Sequence, residues 1–211
     1  MALSRRVAAA NLPMAAPVSI AHTHVHSLRL ACGAEALVAR VRIADGSDGF
    51  GFTLGMEAAV ARDMAAWDAL GRSKGVPLFA LLGGPYRKRI NLVKDDLSTI
   101  PPDWTALRKD VLAGRHELLR IDPFAWGSVE MVQTIAAVAN AFDLSIVLLA
   151  PNAHSWEIQY CAALAATLKG GDTRIVVRSD PPFSSISVSE RPGTGIDWSL
   201  EPSFSTIQWQ N

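Results

Sequence analysis

Residues 117 to 149 constrain the fold more than any other stretch, because their apolar pattern switches between two kinds of element. The strand-like ELLRID leads through the loop PFAWGS to a helix, VEMVQTIAAVANAFD, whose apolar face runs to Phe142. The following LSIVLLA is apolar at nearly every position, which is typical of a strand covered on both faces. Strand, helix and apolar strand in this order predict a parallel sheet and an α/β protein. A further helix, SWEIQYCAALAATL, and a further strand, TRIVVRSD, extend the pattern.

The N-terminal part predicts a different architecture. Residues 18 to 30 alternate with a period of two, and two more strands follow on either side of the turn sequence DGSDG, which together predict a small antiparallel sheet. A helix comes next and is expected to end at Gly75, with Pro77 just beyond it. Its apolar and small face is predicted to contain Val60, Met64, Trp67 and Gly71, with Asp63 and Asp68 on other faces.

The composition favours a soluble globular protein. The chain has 211 residues, of which 49% are hydrophobic and 19% charged, and its 20 basic and 20 acidic residues give a formal charge of zero. This balance gives no reason to expect a nucleic acid or a charged membrane surface as partner, and no window has the apolar length of a membrane span. Cys32 and Cys161 are both predicted to be buried free thiols, and a reducing cytoplasm is the expected location.

One segment in the first half resembles a known family nearly residue by residue. The stretch DMAAWDALGRSKGVPLFALLGG is similar to a signature of the mandelate racemase and muconate lactonizing branch of the enolase superfamily. VRIADGSDGFGFTL resembles the family's N-terminal strand pair, LRIDPFAWGSVEMVQTIAAVANAFDLSIVLLAPNAHS resembles a late barrel unit, and SERPGTGIDW resembles its closing segment. These matches cover about two-thirds of the chain and lie towards both of its ends.

The resemblance implies an α+β capping domain and a modified TIM barrel. In that frame residues 1–17 are a flexible leader, 18–88 a shortened capping domain, 89–190 a partial barrel, and 191–211 a segment that returns to the capping domain. The family's shared chemistry is removal of the proton alpha to a carboxylate, with magnesium stabilising the enediolate. The resemblance therefore implies isomerase or lyase activity on a carboxylate or acid-sugar ligand.

The chain is too short between its matched parts for the whole of that chemistry. A TIM barrel takes about 250 residues, whereas here only residues 94 to 116 stand where the family has several strand–helix units. Those units carry the family's lysine base and its three acidic metal ligands. We therefore assign no metal ligand and no cofactor, and magnesium is implied by the resemblance alone.

Part of the family's alternative base, a His–Asp dyad, is present. Asp122 stands at the position of the dyad aspartate, whereas Asn152 stands where the family has histidine and His154 lies two residues further on. Asp122 and His154 are the predicted catalytic pair, in which the carboxylate would orient the imidazole and raise its pKa. The alternative is that Asp122 caps its own loop and His154 lies on the surface. Lys94, Asp96 and Asn152, at predicted strand ends, are the candidate substrate-binding residues.

Three functional hypotheses remain open. The chain is a shortened relative that has lost catalysis, or it retains acid–base activity through Asp122 and His154, or it completes a composite site in an oligomer. An incomplete barrel leaves open strand edges and apolar faces, which predicts a homo-oligomer. His22, His24 and His26 share one face of a strand, but their spacing of roughly 7 Å is wide for one metal ion, and an ordinary strand is the favoured interpretation.

Overall fold

A computed structural model describes residues 16–55, 57–170, 173–181 and 183–209. The predicted leader, residues 1–17, therefore lies almost entirely outside the described residues. Among the helices of the described ranges, none has both the length and the apolar character needed to cross a bilayer.

The N-terminal half contains the predicted antiparallel sheet. Its strands are β1 (Ile20–Arg29), β2 (Glu35–Ile43) and β3 (Asp48–Leu54), in the order β1-β2-β3. The DGSDG sequence forms the β2–β3 turn, where the N–H of Ile43 donates to the carbonyl of Ser47 at 3.0 Å. The turn between β1 and β2 holds Cys32, which is exposed, so the prediction of a buried thiol is wrong there. Cys161 is buried, as predicted.

Helix α1 (Ala58–Lys74) lies directly on this sheet because two glycines of β3 let it approach. A Cβ atom on Gly51 would overlap the carbonyl oxygen of Ala61 and the backbone nitrogen of Ala65. The helix ends as predicted at Gly75, whose φ of 67° is left-handed and suits glycine. A single further turn, α2 (Leu78–Leu81), follows the proline.

Both acidic residues of α1 are buried, which corrects the prediction that they lie away from the packed face. Asp63 is 4% exposed and Asp68 is fully buried, because the helix lies between the sheet and the C-terminal half of the chain. The carboxylate of Asp68 accepts hydrogen bonds from Phe50 N at 2.9 Å, Arg72 Nε at 2.6 Å, and Thr194 N and Oγ1 at 2.7 and 2.9 Å. The aspartate of the signature thus joins strand β3 to the closing segment of the chain.

The C-terminal half contains a second sheet, with the order β5-β6-β7-β4-β8. Strands β4, β5, β6 and β7 are parallel to one another, and β8 pairs antiparallel with β4. The strands are β4 (Arg89–Lys94), β5 (Leu118–Ile121), β6 (Ser145–Ala150), β7 (Arg174–Val177) and β8 (Ser185–Ser187). The parallel α/β architecture is confirmed. Since a TIM barrel closes with eight strands, four parallel strands leave an open sheet.

Among the described residues of this half, four segments are α-helical, and two short 3-10 helices follow at Trp198–Leu200 and Pro202–Thr206. The α-helices are α3 (Trp104–Leu112), α4 (Pro123–Trp126), α5 (Val129–Ala141) and α6 (Ser155–Ala165). The sequence PFAWGS was predicted as a loop, but its first four residues form α4, because Pro123 stands at the first helical position and Asp122 caps the turn. Phe142 follows the last residue of α5 and is 46% exposed, so it does not continue the buried face.

The connection between β4 and α3 covers part of the open sheet. Leu97 packs against Val147, Leu149 and Val176, which lie on the sheet face opposite the main core. The N–H of Ile100 donates at 3.2 Å to the carbonyl of Arg120 in the edge strand β5. Residues 95–100 therefore do two things. Leu97 covers part of one face of the sheet, and Ile100 bonds to part of its edge strand.

The C-terminal residues pack aromatic side chains between the two halves. Trp198 and Phe204 stack with ring centroids 5.0 Å apart, and Phe204 contacts Phe50 of β3 at 5.5 Å. Trp198 also meets Trp156 of α6 at 4.7 Å. These contacts hold the first sheet against the end of the second sheet where β5 and β6 terminate.

Candidate functional site

The candidate site lies at the C-terminal ends of β5 and β6. Asp122 follows β5 directly, and its Oδ1 accepts hydrogen bonds from the N–H groups of Phe124 at 2.9 Å and Ala125 at 3.4 Å. The carboxylate is thus the N-cap of α4. Burial raises the pKa of Asp122, and its two backbone hydrogen bonds oppose that effect.

His154 occupies the equivalent capping position after β6. Its Nδ1 accepts a hydrogen bond from the N–H of Trp156 at 3.3 Å, so the neutral ring carries its proton on Nε2. That Nε2 lies 3.7 Å from Oε2 of Glu201, in the C-terminal segment. Burial lowers the pKa of His154, while the charge of Glu201 acts in the opposite direction.

The predicted catalytic residues therefore have different partners. Asp122 binds the backbone of α4, and His154 binds the backbone of α6 and faces Glu201. No hydrogen bond joins the two side chains in the described part of the chain. The side chain of His154 is only 13% exposed, so it is not the surface residue that the alternative interpretation expected. A catalytic role for the pair stays a prediction.

Sequence reasoning did not select Glu157, the buried carboxyl group of this region. Glu157 lies in the first turn of α6 and is 1% exposed. Its two oxygens accept hydrogen bonds from the backbone N–H of Asn152 at 3.0 Å and from the side-chain amide of Asn152 at 3.1 Å. Its signal in the sequence is its isolation, since it is the one charged residue in the stretch SWEIQYCAALAATL.

The environment of Glu157 favours its protonated form. Burial raises the pKa of Glu157 to about 7, the negative charge of nearby Asp122 adds to this, and the hydrogen bonds from Asn152 oppose it. Burial thus raises the pKa of both neighbouring carboxyl groups, Asp122 and Glu157. A carboxyl group with a pKa of about 7, such as Glu157, can take up or release a proton near neutral pH.

The three candidate substrate-binding residues make local contacts. The amide of Asn152 is held by Glu157, as described. Lys94, at the end of β4, places its Nζ 3.1 Å from Oδ2 of Asp180, and both side chains are exposed. The carboxylate of Asp96 accepts from the N–H of Ser98 at 3.1 Å, and hydrogen bonds with Ser98 lower the pKa of Asp96. Their role in substrate binding stays a prediction.

An ion pair lies beside these residues, at the edge of the sheet. Arg120 donates to Oδ2 of Asp95 at 2.7 Å and to the carbonyl of Asp96 at 2.6 Å. This pair fixes the segment that carries Leu97 over the sheet. Asp95 is therefore the acidic side chain of this segment that bonds to strand β5.

The residues of this site do not fit a magnesium ion held by three acidic ligands. Across the described ranges, no three side chains of the types His, Cys, Asp and Glu converge as a metal site requires. Near the ends of β5 and β6, Asp122 accepts a hydrogen bond from the N–H of Phe124, and Glu157 accepts hydrogen bonds from Asn152. These oxygens are therefore already used by donors of the protein. Along β1, His26 packs edge-on against the ring of Trp209 at 4.9 Å.

Comparison with known proteins gives one short match in sequence. No family model matches the chain. A D-gluconate dehydratase from Thermoproteus tenax is 36% identical over 65 residues, which are 29% of this chain and 13% of the dehydratase. The chain therefore matches only a small part of that enzyme's length.

Solved structures match over most of the chain, at low identity. A racemase from Streptomyces coelicolor A3(2) with bound magnesium has a TM-score of 0.66 and 14% identity, over 89% of this chain and 100% of that one. A mandelate racemase/muconate lactonizing enzyme from Bordetella bronchiseptica RB50 has a TM-score of 0.68 and 14% identity, over 87% and 98%. An enolase from Pseudomonas fluorescens Pf0-1 with bound magnesium, potassium and tartrate has a TM-score of 0.70 and 11% identity, over 90% and 92%.

These structural likenesses, which cover most of the chain, agree with the family that the sequence motifs resemble. The chain has the fold of the mandelate racemase/muconate lactonizing enzymes of the enolase superfamily, in a shortened form.

Proposed function

We propose that this chain is a mandelate racemase/muconate lactonizing enzyme-like protein that lacks the family's metal-assisted proton abstraction. The ligand class that we propose for it is a small hydroxy carboxylate. Two comparisons support that class, since the curated relative is a D-gluconate dehydratase and one structural neighbour is described with bound tartrate.

The observation that carries the proposal is the arrangement of carboxylates at the strand ends. Between β4 and β5 the chain has a single helix and the covering segment 95–100, so no further strand end supplies an acidic ligand there. Asp122 follows β5, where its carboxylate caps a helix. A divalent magnesium ion prefers an octahedral shell of oxygen ligands, and the described carboxylates do not build part of one.

Titration of magnesium into the purified chain by calorimetry tests this proposal. We expect no saturable heat at millimolar magnesium, whereas a full-length mandelate racemase/muconate lactonizing enzyme serves as the positive control. A one-site isotherm that is lost in the Asp122→Asn variant would show that the strand ends do assemble a metal site, and it would overturn the proposal.

A second candidate function is metal-independent acid–base chemistry at the same strand ends. The specific observation in its favour is the buried Glu157, with a pKa of about 7, beside Asp122. A carboxyl group that titrates near neutral pH is suited to general acid or base catalysis. In this version Glu157 replaces the predicted histidine as the group that exchanges a proton, and Asp122 is the charged neighbour that tunes it.

Proton–deuterium exchange without magnesium separates this candidate from the first. Residual activity requires exchange that disappears in Glu157→Gln and in Asp122→Asn. Asp103→Asn is the matched control, since Asp103 caps α3 as Asp122 caps α4. Equal loss of exchange in the control would attribute the effect to helix capping and remove the candidate.

We also propose that the chain forms a homo-oligomer. The open sheet supports this, since its edge strand β5 pairs with the single strand β6 and is otherwise bonded, within the described residues, through Arg120 to the segment 95–100. Leu112 and Phe142, just at and beyond the ends of the helices that flank β5, are 62% and 46% exposed. Light scattering is expected to give at least twice the mass of one chain, and a monomer at all concentrations would contradict the proposal.

A further inference from the structure

A groove separates the C-terminal end of α1 from the closing segment of the chain. It is a shallow groove, largely open to solvent, with a volume of about 560 Å³. Its walls are formed by Arg72, Arg191, Pro192, Ile196, Asp197, Trp198 and Ser199. None of the residues at the strand-end site lines this groove, so a ligand bound here would not depend on the function proposed above.

Arg72 presents a fixed guanidinium group to this groove. Its Nε donates to the carboxylate of Asp68 at 2.6 Å, and the guanidinium carbon lies 5.7 Å from the centre of the Phe50 ring. Asp68 is fully buried and bonded to Thr194, so it cannot follow a moving side chain. Within the described residues, no hydrogen bond uses the two terminal nitrogens of Arg72, and its side chain is 39% exposed.

Arg191 lines the same groove and supplies a second guanidinium group. Its Nη1 lies 3.1 Å from Oδ2 of Asp197, and the side chain is 66% exposed. Asp197 is held in turn by the N–H and hydroxyl of Ser199, at 3.2 and 2.6 Å. Each guanidinium is thus paired with one carboxylate, Arg72 with Asp68 and Arg191 with Asp197. What the groove offers a ligand is therefore the remaining N–H donors of the two arginines rather than an excess of positive charge.

The remaining wall is apolar. Pro192 and Ile196 line it together with the indole of Trp198, which is 8% exposed and stacks on Phe204. The indole Nε1 is itself buried and has no hydrogen-bond partner within the described residues, so the ring presents its apolar surface to the groove rather than this donor. A groove lined by two guanidinium groups and by apolar and aromatic side chains is suited to a molecule that combines an oxyanion with an apolar body, since guanidinium binds carboxylate and phosphate with paired hydrogen bonds.

We propose that this groove binds a small organic oxyanion, with Arg72 and Arg191 on its charged group and Pro192, Ile196 and Trp198 against its apolar part. The two arginines keep their bonds to Asp68 and Asp197, because each guanidinium offers further N–H donors to the ligand. Carboxylate and phosphate share the required chemistry, and the choice between them belongs to the experiment.

Ligand-observed NMR titration with benzoate and with phenyl phosphate tests the proposal at low ionic strength. We expect saturable binding of at least one probe and a loss of affinity of about tenfold in Arg191→Gln. Arg72→Gln should weaken binding similarly, and Arg108→Gln, at an exposed position of α3, is the control that should leave it unchanged.

The outcomes separate clearly. Binding of benzoate alone assigns a carboxylate ligand, binding of phenyl phosphate alone assigns a phosphate, and binding of both assigns a general oxyanion site. Absence of saturable binding of either probe overturns the proposal, as does equal weakening in Arg108→Gln. Because Arg72 also supports Asp68, Arg191→Gln decides the result if Arg72→Gln fails to fold.

Discussion

The buried carboxyl of Glu157 predicts a specific dependence of stability on pH. In the folded chain its pKa is raised from the ordinary value of 4.5 to about 7, chiefly by burial. Between these two values the folded chain holds a proton that the unfolded chain has released. The free energy of unfolding therefore falls as the pH rises through this window, and it is highest, as far as Glu157 contributes, below the unfolded pKa.

The size of this effect follows from the difference between the two pKa values. It corresponds to about 3 kcal/mol between pH 4.5 and pH 8. Solvent screening would lower this free energy for an exposed group, but Glu157 is only 1% exposed. Glu157→Gln retains an acceptor for the N–H of Asn152 without a titrating group, so this variant should lose the dependence.

Urea unfolding, followed by tryptophan fluorescence at pH 4.5, 6, 7 and 8, measures the effect. Subtracting the unfolding free energy of Glu157→Gln from that of the unmodified chain removes the contributions of all other ionisable groups. The difference should fall by about 3 kcal/mol from the lowest to the highest pH. Glu117→Gln, at an exposed position, is the control. A difference that stays flat for Glu157→Gln would refute the reasoning about its buried proton.

Three further perturbations test the packing of the sheet β1-β2-β3 and of helix α1. Asp68→Ala leaves the buried N–H groups of Phe50 and Thr194 without an acceptor, and should cost about 3–5 kcal/mol in the free energy of unfolding; a cost below 1 kcal/mol in thermal or urea unfolding would contradict that role. Gly51→Ala should lower the melting temperature by several degrees or prevent folding, because its Cβ would overlap the backbone of α1; an unchanged melting curve argues against this close approach. The hydrogen bond with Arg42, together with Arg40, lowers the pKa of Asp48 to about 2. Asp48→Asn should therefore cost about 2 kcal/mol in the free energy of unfolding at pH 7, and progressively less as the pH falls from 4 towards 2. A cost that does not change with pH would contradict the ion pair.

Periodicity and turn residues were enough to predict most of the elements. The apolar β6 and the two strands beside it appear where the pattern placed them, and α1 ends at Gly75 because only a residue that tolerates a positive φ suits that position. The patterns failed where burial came from distant segments. Asp68 is a polar residue in a helical pattern, and only the return of Thr194 to the same place makes it a buried acceptor.

The candidate site was less predictable than the fold. Asp122 follows β5 directly, and His154 stands four residues after β6, at the start of α6. Their hydrogen-bond partners depend on the backbone of α4 and α6 and on Glu201, which lies 47 positions after His154 in the chain. The pKa of Glu157 depends on its complete burial, which the short apolar helix suggested only indirectly. The contacts of the covering segment 95–100 with Arg120 and Val147 could not be predicted, because they join residues far apart in the chain. The sequence shows only that the strand–helix units expected there are missing.

The chain has the family's fold, and we propose that it lacks the family's proton abstraction. Exchange of the proton alpha to a carboxylate tests that proposal most directly. The protein is incubated in deuterium oxide with D-gluconate and a panel of related acid sugars, with magnesium, and the alpha position is followed by proton NMR. We predict no enzyme-dependent loss of the alpha-proton signal and no product. Exchange that requires magnesium and is abolished by Asp122→Asn would contradict the account.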